Sequence, residues 1–328
     1  QGFLDRLHAD RPDSIQPDTR RNEIVSVIAQ GLEDISASRS RLSWGVPFPA
    51  PLSTGETQTT YVWFDALPNY LTATGFPAKG YKERWPAQLH IVGKDITRFH
   101  AIIWPAMLQA GELPLPERVW AHGFVLLGGE RFSKSAGVKL DLYEAIDRYG
   151  PDAFRYYLLR EVPFDADGAF SWERFEQVYT SELANTWGNL GSRVIAMVEK
   201  YFEGMVPAAT ETEVDRADAV ELQGYHDAMD GSRGYLLHDG LRRAMASCVR
   251  GNEYIQTMQP WALAKSSDSR TALETTLGTL VRSLARQCIM LSPFVPEKTQ
   301  ALWEQLGAPG RVEDGLFTGD PVEPVCYG

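Results

Sequence analysis

Residues 129–137 read GERFSKSAG, with Lys134 between Ser133 and Ser135 and glycines on either side. Gly128, Gly129 and Gly137 free the backbone from Cβ restraint, so the segment can bend and carry a mobile cation flanked by hydroxyls. Such a group suits phosphoryl or nucleotidyl transfer, where positive charge is placed on oxygens that grow more negative; a solvated surface turn is the plain alternative. In YVWFDALPNYL (61–71), Trp63 and Tyr70 bracket a strand-to-helix turn. Aromatic walls at a strand end can line a pocket for an apolar side chain, although core aromatics would look the same. In HIVGKDITRFHAIIWPAML (90–108), Asp95 follows Gly-Lys at a strand end. Its carboxylate could accept hydrogen bonds from ribose hydroxyls or cap the next helix. Asn185, Asn189 and Arg193 fall at i, i+4 and i+8 and so share one helix face. Amide and guanidinium groups there could read unpaired bases or simply be solvated. Trp261, just after Pro260 at a plausible helix start, could be a core anchor or a stacking platform for a base.

These residues must be positioned by regular elements. Ile24, Val27, Ile28, Leu32 and Ile35 predict a helix over 20–35. A Pro/Gly/Ser-rich connection over 43–58 leads to TTYVWFDAL, which reads as a short apolar strand, and PNYLTATGF begins a helix. QLHIVGKD is a second strand, ITRFHAIIWPAMLQAG an amphipathic helix, and RVWAHGFVLLGG a third strand entering the lysine loop. Alternating strands and helices argue for a parallel α/β sheet with its site at the carboxyl ends of the strands. After about residue 172 the period changes. Phe175, Val178, Leu183, Trp187, Leu190, Val194, Met197 and Tyr201 predict one long amphipathic helix. Further helices are expected at 219–230, 233–257, 261–265 and 271–290, with no strand of any length.

The chain has 328 residues, 44% of them hydrophobic and 23% charged, enough for a sizeable core and more than one domain. Its net charge of −11 excludes an overall basic coat, although a nucleic acid can still meet a local patch. Cys248, Cys288 and Cys326 lie far apart, which suggests neither a disulfide framework nor a zinc site and fits a reducing, cytoplasmic setting. No run approaches the ~18 apolar residues of a membrane span. The opening QGFLDRLHADRPDS does not look like a domain start, so a fragment is expected.

Residues 122–135, HGFVLLGGERFSKS, resemble the KMSKS loop of class I aminoacyl-tRNA synthetases, with Arg131 for Lys and Phe132 for Met. The stretches 61–71 and 90–108 make the resemblance specific to methionyl-tRNA synthetases; the leucine, isoleucine and valine enzymes share the loop but differ in both. The resemblance implies an α/β fold plus an all-α part: the second half of a Rossmann-type nucleotide-binding domain over 1–127, a stem-contact segment over 128–172, an α-helical anticodon-binding bundle over 173–315, and a tail over 316–328. It implies methionine–tRNA ligase activity through methionyl-adenylate, with ATP and Mg²⁺ as substrate, no protein-bound zinc, and initiator and elongator methionine tRNA as partners of a monomer. Lys134 and Arg131 would be catalytic. Asp95, His122, Gly123, Val125, Ser133, Lys134 and Ser135 would bind ATP, and Trp63, Ala66, Leu67, Tyr70, Ile96 and His100 would bind methionine. Arg39, in a matching Ser-Arg pair, would lie near the active site. Asn185, Asn189, Arg193 and Trp261 would read a CAU anticodon. The family's His-x-Gly-His signature is missing, so the resemblance covers about 20–305, lacks the N-terminal part, and implies that the chain alone is nearly inert. Another class I synthetase of the valine, leucine or isoleucine type, or a tRNA-binding paralogue without catalysis, are the alternatives.

Overall fold

The computed structural model describes residues 1–42, 44–49, 55, 57–127, 130–131, 142–231 and 235–316. Ser133, Lys134, Ser135 and Cys326 lie outside the described residues, and of Arg131 only the backbone is described. The chain forms two compact units, 1–122 and 123–328.

The first unit opens with helix α1 (Gly2–Asp10), strand β1 (Ile15–Gln16) and helix α2 (Asp18–Ala29). Helix α2 stops earlier than the apolar spacing predicts, because Gly31 adopts φ +99° and turns the chain out of the helix. Strands β2 (Ser38–Arg39) and β3 (Thr59–Thr60) pair antiparallel. The expected strand at 59–67 shrinks to β3: Val62–Ala66 forms helix α3, followed by α4 (Asn69–Ala73). Local β preference in Tyr-Val-Trp-Phe is overridden by burial of Leu67 and Leu71 against Trp85, Trp104 and Leu108. Strand β4 (Leu89–Gly93), a wide turn (Phe99–Ile103) continuing into α5 (Trp104–Ala110), and β5 (Arg118–His122) complete the unit. The sheet order is β1-β5-β4, all parallel. Val92, Val119 and Ala121 form its buried face.

The expected third strand, 118–129, is two strands. It breaks at Gly123–Phe124, and β6 (Val125–Leu127) joins a separate small sheet. There β6 pairs antiparallel with β7 (Glu130–Arg131) and parallel with β8 (Gly168–Phe170). The break follows from packing: a Cβ at Gly123 would sit 2.0 Å from the Ala166 carbonyl oxygen. Helices α6 (Leu142–Tyr149) and α7 (Pro151–Glu161) lie between β7 and β8 in sequence.

The rest of the second unit is helical. Ser171 accepts a hydrogen bond from the Arg174 N–H, 3.2 Å, and starts α8 (Trp172–Val178). The helix then widens to π geometry over Tyr179–Gly188 and returns to α form as α9 (Asn189–Phe202). It is therefore not the uniform α-helix expected. Helices α10 (Glu213–Met229), α11 (Leu237–Met258), α12 (Pro260–Leu263), α13 (Arg270–Leu291) and α14 (Pro296–Gln305) follow. Helix α14 has no counterpart in the sequence reading, and α10 begins well before 219. Leu277, Leu280, Leu284, Cys288 and Met290 bury α13 as the axis of the bundle. Among the described residues, no helix is long and apolar enough to cross a membrane.

Candidate functional site

In the first unit, α3, α4 and the wide turn before α5 bring Trp63, Tyr70 and His100 together. The indole of Trp63 stacks on Phe99, with centroids 3.9 Å apart and planes at 12°, and meets His100 edge-on at 6.2 Å. His100, 1% exposed, has Nδ1 2.9 Å from the Ile96 carbonyl oxygen and Nε2 2.7 Å from the Tyr70 hydroxyl. A carbonyl only accepts, so Nδ1–H donates to it; Nε2 is then the acceptor and Tyr70 the donor. Burial lowers the His100 pKa from its ordinary value, and the bond to Ile96 only partly opposes this. The imidazole is therefore held neutral, in one tautomer and one orientation.

Behind Tyr70 lies His90, 5% exposed, with ring centroids 4.3 Å apart. Burial, with the nearby His100 adding to it, pushes the His90 pKa down to about 4. Its Nε2 is buried without a hydrogen-bond partner. Two neutral imidazoles and the Trp104 indole thus pack on Tyr70, with Trp85 against His90 and Trp104 and with Trp63 against His100, in a site without formal charge that favours a neutral, polarizable side chain over an ionised one. Sequence reasoning missed His90, Phe99 and Trp104. Phe99 is visible as the neighbour of His100, but nothing in the spacing marks His90, which reaches Tyr70 from a strand 20 residues further along the chain.

The other members of the expected methionine set are more dispersed. Leu67 is wholly buried with Leu71 and Trp104, and Ala66 is exposed. The Ile96 side chain packs on Val92, Val119 and Ala121, so it is its carbonyl that reaches the aromatic cluster.

Parallel pairing sets Gly93 opposite His122, so β4 and β5 end side by side. Exposed Asp95 follows β4 in a short turn, Lys94–Ile96, closed by the Thr97 hydroxyl donating to the Lys94 carbonyl at 2.8 Å. A Cβ at Gly93 would lie 2.9 Å from the Asp95 Oδ1, so the carboxylate folds back over the strand end. Asp95 and His122 thus share the carboxyl edge of the sheet, where open α/β sheets bind ligands. Arg39 lays its guanidinium 3.6 Å from the centroid of the Tyr61 ring and donates to the Ser36 and Ser38 carbonyls. In the second unit, Gly123 is buried and Val125 opens β6. The Phe124 N–H donates to Asp167 Oδ1 at 2.8 Å.

On the bundle, Asn185 and Asn189 are exposed and Arg193 is partly exposed. Among the described residues Arg193 makes no ion pair. Asn185 lines an open cavity of about 560 Å³ with Thr186, Asn252, Gln256 and Thr257. Asn189, Arg193 and Trp261 do not line it. Trp261, 38% exposed, stands outside the bundle core while its neighbours Leu263 and Ala264 pack into it. Among the described residues, no group of three or more His, Cys, Asp or Glu side chains could hold a metal ion.

The chain is similar to known proteins along most of its length. The family model "tRNA synthetases class I (M)" matches residues 4–195, and "Anticodon binding domain of methionyl tRNA ligase" matches 203–313, so the resemblance reaches further toward both ends than the motifs suggested. A methionine–tRNA ligase of Caldanaerobacter subterraneus subsp. tengcongensis is 43% identical over 310 residues, 92% of this chain and 48% of that protein. One from Streptomyces coelicolor is 42% identical over 90% of this chain and 56% of its own length. The chain thus spans about half the length of the curated relatives it matches. The Mycobacterium tuberculosis methionyl-tRNA synthetase in complex with methionyl-adenylate superposes with a TM-score of 0.87 at 36% identity, covering 97% of this chain and 63% of that one.

Proposed function

The chain belongs to the methionyl-type class I tRNA synthetases, and from that premise we propose that the protein is a methionine–tRNA ligase. A methionine carboxylate oxygen attacks the α-phosphorus of Mg²⁺-bound ATP, the bond to the bridging oxygen breaks, and pyrophosphate leaves. A hydroxyl of the terminal adenosine of initiator or elongator methionine tRNA then attacks the acyl carbon and gives up its proton, and AMP leaves. In this reading Trp63, Ala66, Leu67, Tyr70, Ile96 and His100 receive methionine, and Asp95 holds the ribose. His122 and Gly123 meet adenine, with Val125 offering backbone groups. Arg131, Ser133, Lys134 and Ser135 neutralise the phosphates, and Arg39 assists nearby. The segment 128–172 meets the tRNA stem, and Asn185, Asn189, Arg193 and Trp261 read the anticodon. A cytoplasmic monomer is part of the same reading.

The observation that carries this proposal is the run of contacts from strand end to pocket: Asp95 stands next to Ile96, whose carbonyl orients His100, whose Nε2 holds Tyr70. It couples a group fit for ribose to an uncharged aromatic cleft fit for a thioether. The test is pyrophosphate exchange into ATP by the full-length protein. The expected result is exchange that depends on methionine, a raised methionine KM in Trp63→Ala and loss of exchange in Lys134→Ala. Exchange driven equally by leucine or valine would overturn the assignment.

A further inference from the structure

We propose that Asn252 is a positioning residue for the RNA-reading face of the bundle, clamping the wide helical turn that carries Asn185 and leads into Asn189. The proposal rests on the reading of that face as an anticodon site.

Over Tyr179–Gly188 the backbone ladder runs five residues apart, and the Asn189 N–H still donates to the Ala184 carbonyl. A five-apart ladder that reverts to four-apart leaves a carbonyl without its helical donor, and π geometry inside an α-helix concentrates at functional sites. The Asn252 amide lies against this turn. Its Nδ2 donates to the Thr186 carbonyl at 2.8 Å and to the Cys248 carbonyl on its own helix at 2.9 Å, bolting α11 to the π segment. Both amide hydrogens are thereby used. Two further features hold the turn open from within: the Thr186 hydroxyl donates to the Ser181 carbonyl, five residues back, at 2.7 Å. At Gly188, a Cβ would come within 3.0 Å of the Leu183 carbonyl oxygen.

The consequence is rotational. A π turn advances each residue by a smaller angle than an α turn, so the turn's width sets where Asn185 points relative to Asn189 and Arg193. Asn185 and Asn252 line the same open cavity, so the clamp sits directly beside the group it orients. Without the amide, the segment loses its tie to α11 and keeps only the internal Thr186 bond, so it relaxes toward α geometry and carries the Asn185 side chain around the helix. Asn252 itself touches no reacting atom; it acts through Thr186 and the helix.

The test is binding of this chain to two short RNA hairpins, one with a CAU loop and one with the loop triplet changed. The parent is expected to prefer CAU. Asn252→Leu, similar in shape but without donors, is expected to lose about fivefold to tenfold in affinity for the CAU hairpin, the scale of one or two hydrogen bonds, with affinity for the changed hairpin and cooperative unfolding both retained. A merely structural role would weaken both hairpins together, and that result, or no change in either, overturns the proposal. If Asn252→Leu does not fold, Thr186→Val loosens the same turn from the other side: a loss confined to CAU supports the clamp, and an unchanged preference overturns it. A parent that does not distinguish the hairpins overturns the anticodon reading itself; a parent that does, with variants that match it, overturns only the clamp.

Discussion

His90 and His100 both meet the Tyr70 ring and lie near each other, yet only His100 is hydrogen-bonded to it. His100 exchanges its hydration for the Ile96 carbonyl and the Tyr70 hydroxyl, whereas His90 leaves Nε2 buried and unpartnered. An imidazole in that position resists a proton, because burial penalises the charged form and His100 lies with its centroid 5.9 Å away. Its folded-state pKa of about 4 is below the unfolded value of 6.5, so between those values the unfolded chain binds the extra proton. Stability from this group is therefore complete above pH 6.5 and declines as pH falls toward 4, by up to about 3 kcal/mol. His90→Leu removes the titration. Urea denaturation of parent and variant at several pH values is expected to give a flatter pH dependence for His90→Leu over that window; parallel curves would show that His90 keeps its proton equilibrium on folding.

At the scale of elements, the strand break at Gly123 shows how a backbone contact decides topology. With no room beside Ala166, the chain leaves one sheet and enters another, where the Gly168 N–H donates to the Phe124 carbonyl at 2.9 Å. Gly123→Ala is expected to cost several kcal/mol, above the ~1–3 kcal/mol of ordinary overpacking, because the clash is with backbone rather than a side chain that can swing away. Chemical denaturation measures it, and a loss below about 1 kcal/mol would mean that the 163–168 turn yields. From sequence, this junction looked like one continuous apolar strand. Period and composition carry β4, α5 and most of the bundle, since burial on one face dictates them. They do not carry Val62–Ala66, whose residues favour strands but are drawn into a helix by packing, nor β1, which is two residues long and exists only because β5 offers it a partner. The site was legible where motifs placed Trp63, Tyr70, Asp95 and His100. His90 and Asn252 were not legible, because each acts through a contact far away in sequence. The π turn was equally hidden, since 3.6-residue spacing still holds approximately across it.

For the whole molecule, a net charge of −11 must be reconciled with the RNA partner proposed above. The arginines of the second unit are largely committed to carboxylates. Arg282 and Arg286 both grip Asp215, which is 4% exposed; burial alone would raise its pKa, but the two guanidiniums hold it well below the usual carboxylate range. Arg250 pairs with fully buried Asp218 at 2.6 Å, Arg243 with Glu221, Arg160 with Glu182 and Arg174 with Glu161. Pulling Arg282, Arg286 or Arg250 away to contact phosphate would strand the buried Asp215 or Asp218 charge at a cost of about 3–5 kcal/mol, so these cations are not available to an RNA backbone, whereas the half-exposed pairs of Arg243, Arg160 and Arg174 hold their cations by only about 1 kcal/mol. Arg193, unpaired among the described residues and beside exposed Asn189, is a different case, and exposed Trp261 offers a stacking face rather than a charge. If this surface reads RNA as proposed, recognition leans on stacking and base edges, each stacked base contributing ~1–3 kcal/mol. Each phosphate neutralised in a single strand contributes about −0.7 to the slope of log affinity against log salt. With one or two cations engaged, the expected slope for a CAU hairpin is about −1 to −2. Arg193→Ala should make it shallower by about one contact, and Trp261→Ala should weaken binding at every salt concentration while leaving the slope unchanged. Fluorescence anisotropy across a salt series measures both quantities, and a slope steeper than about −5 would show that the internal ion pairs open to meet the RNA.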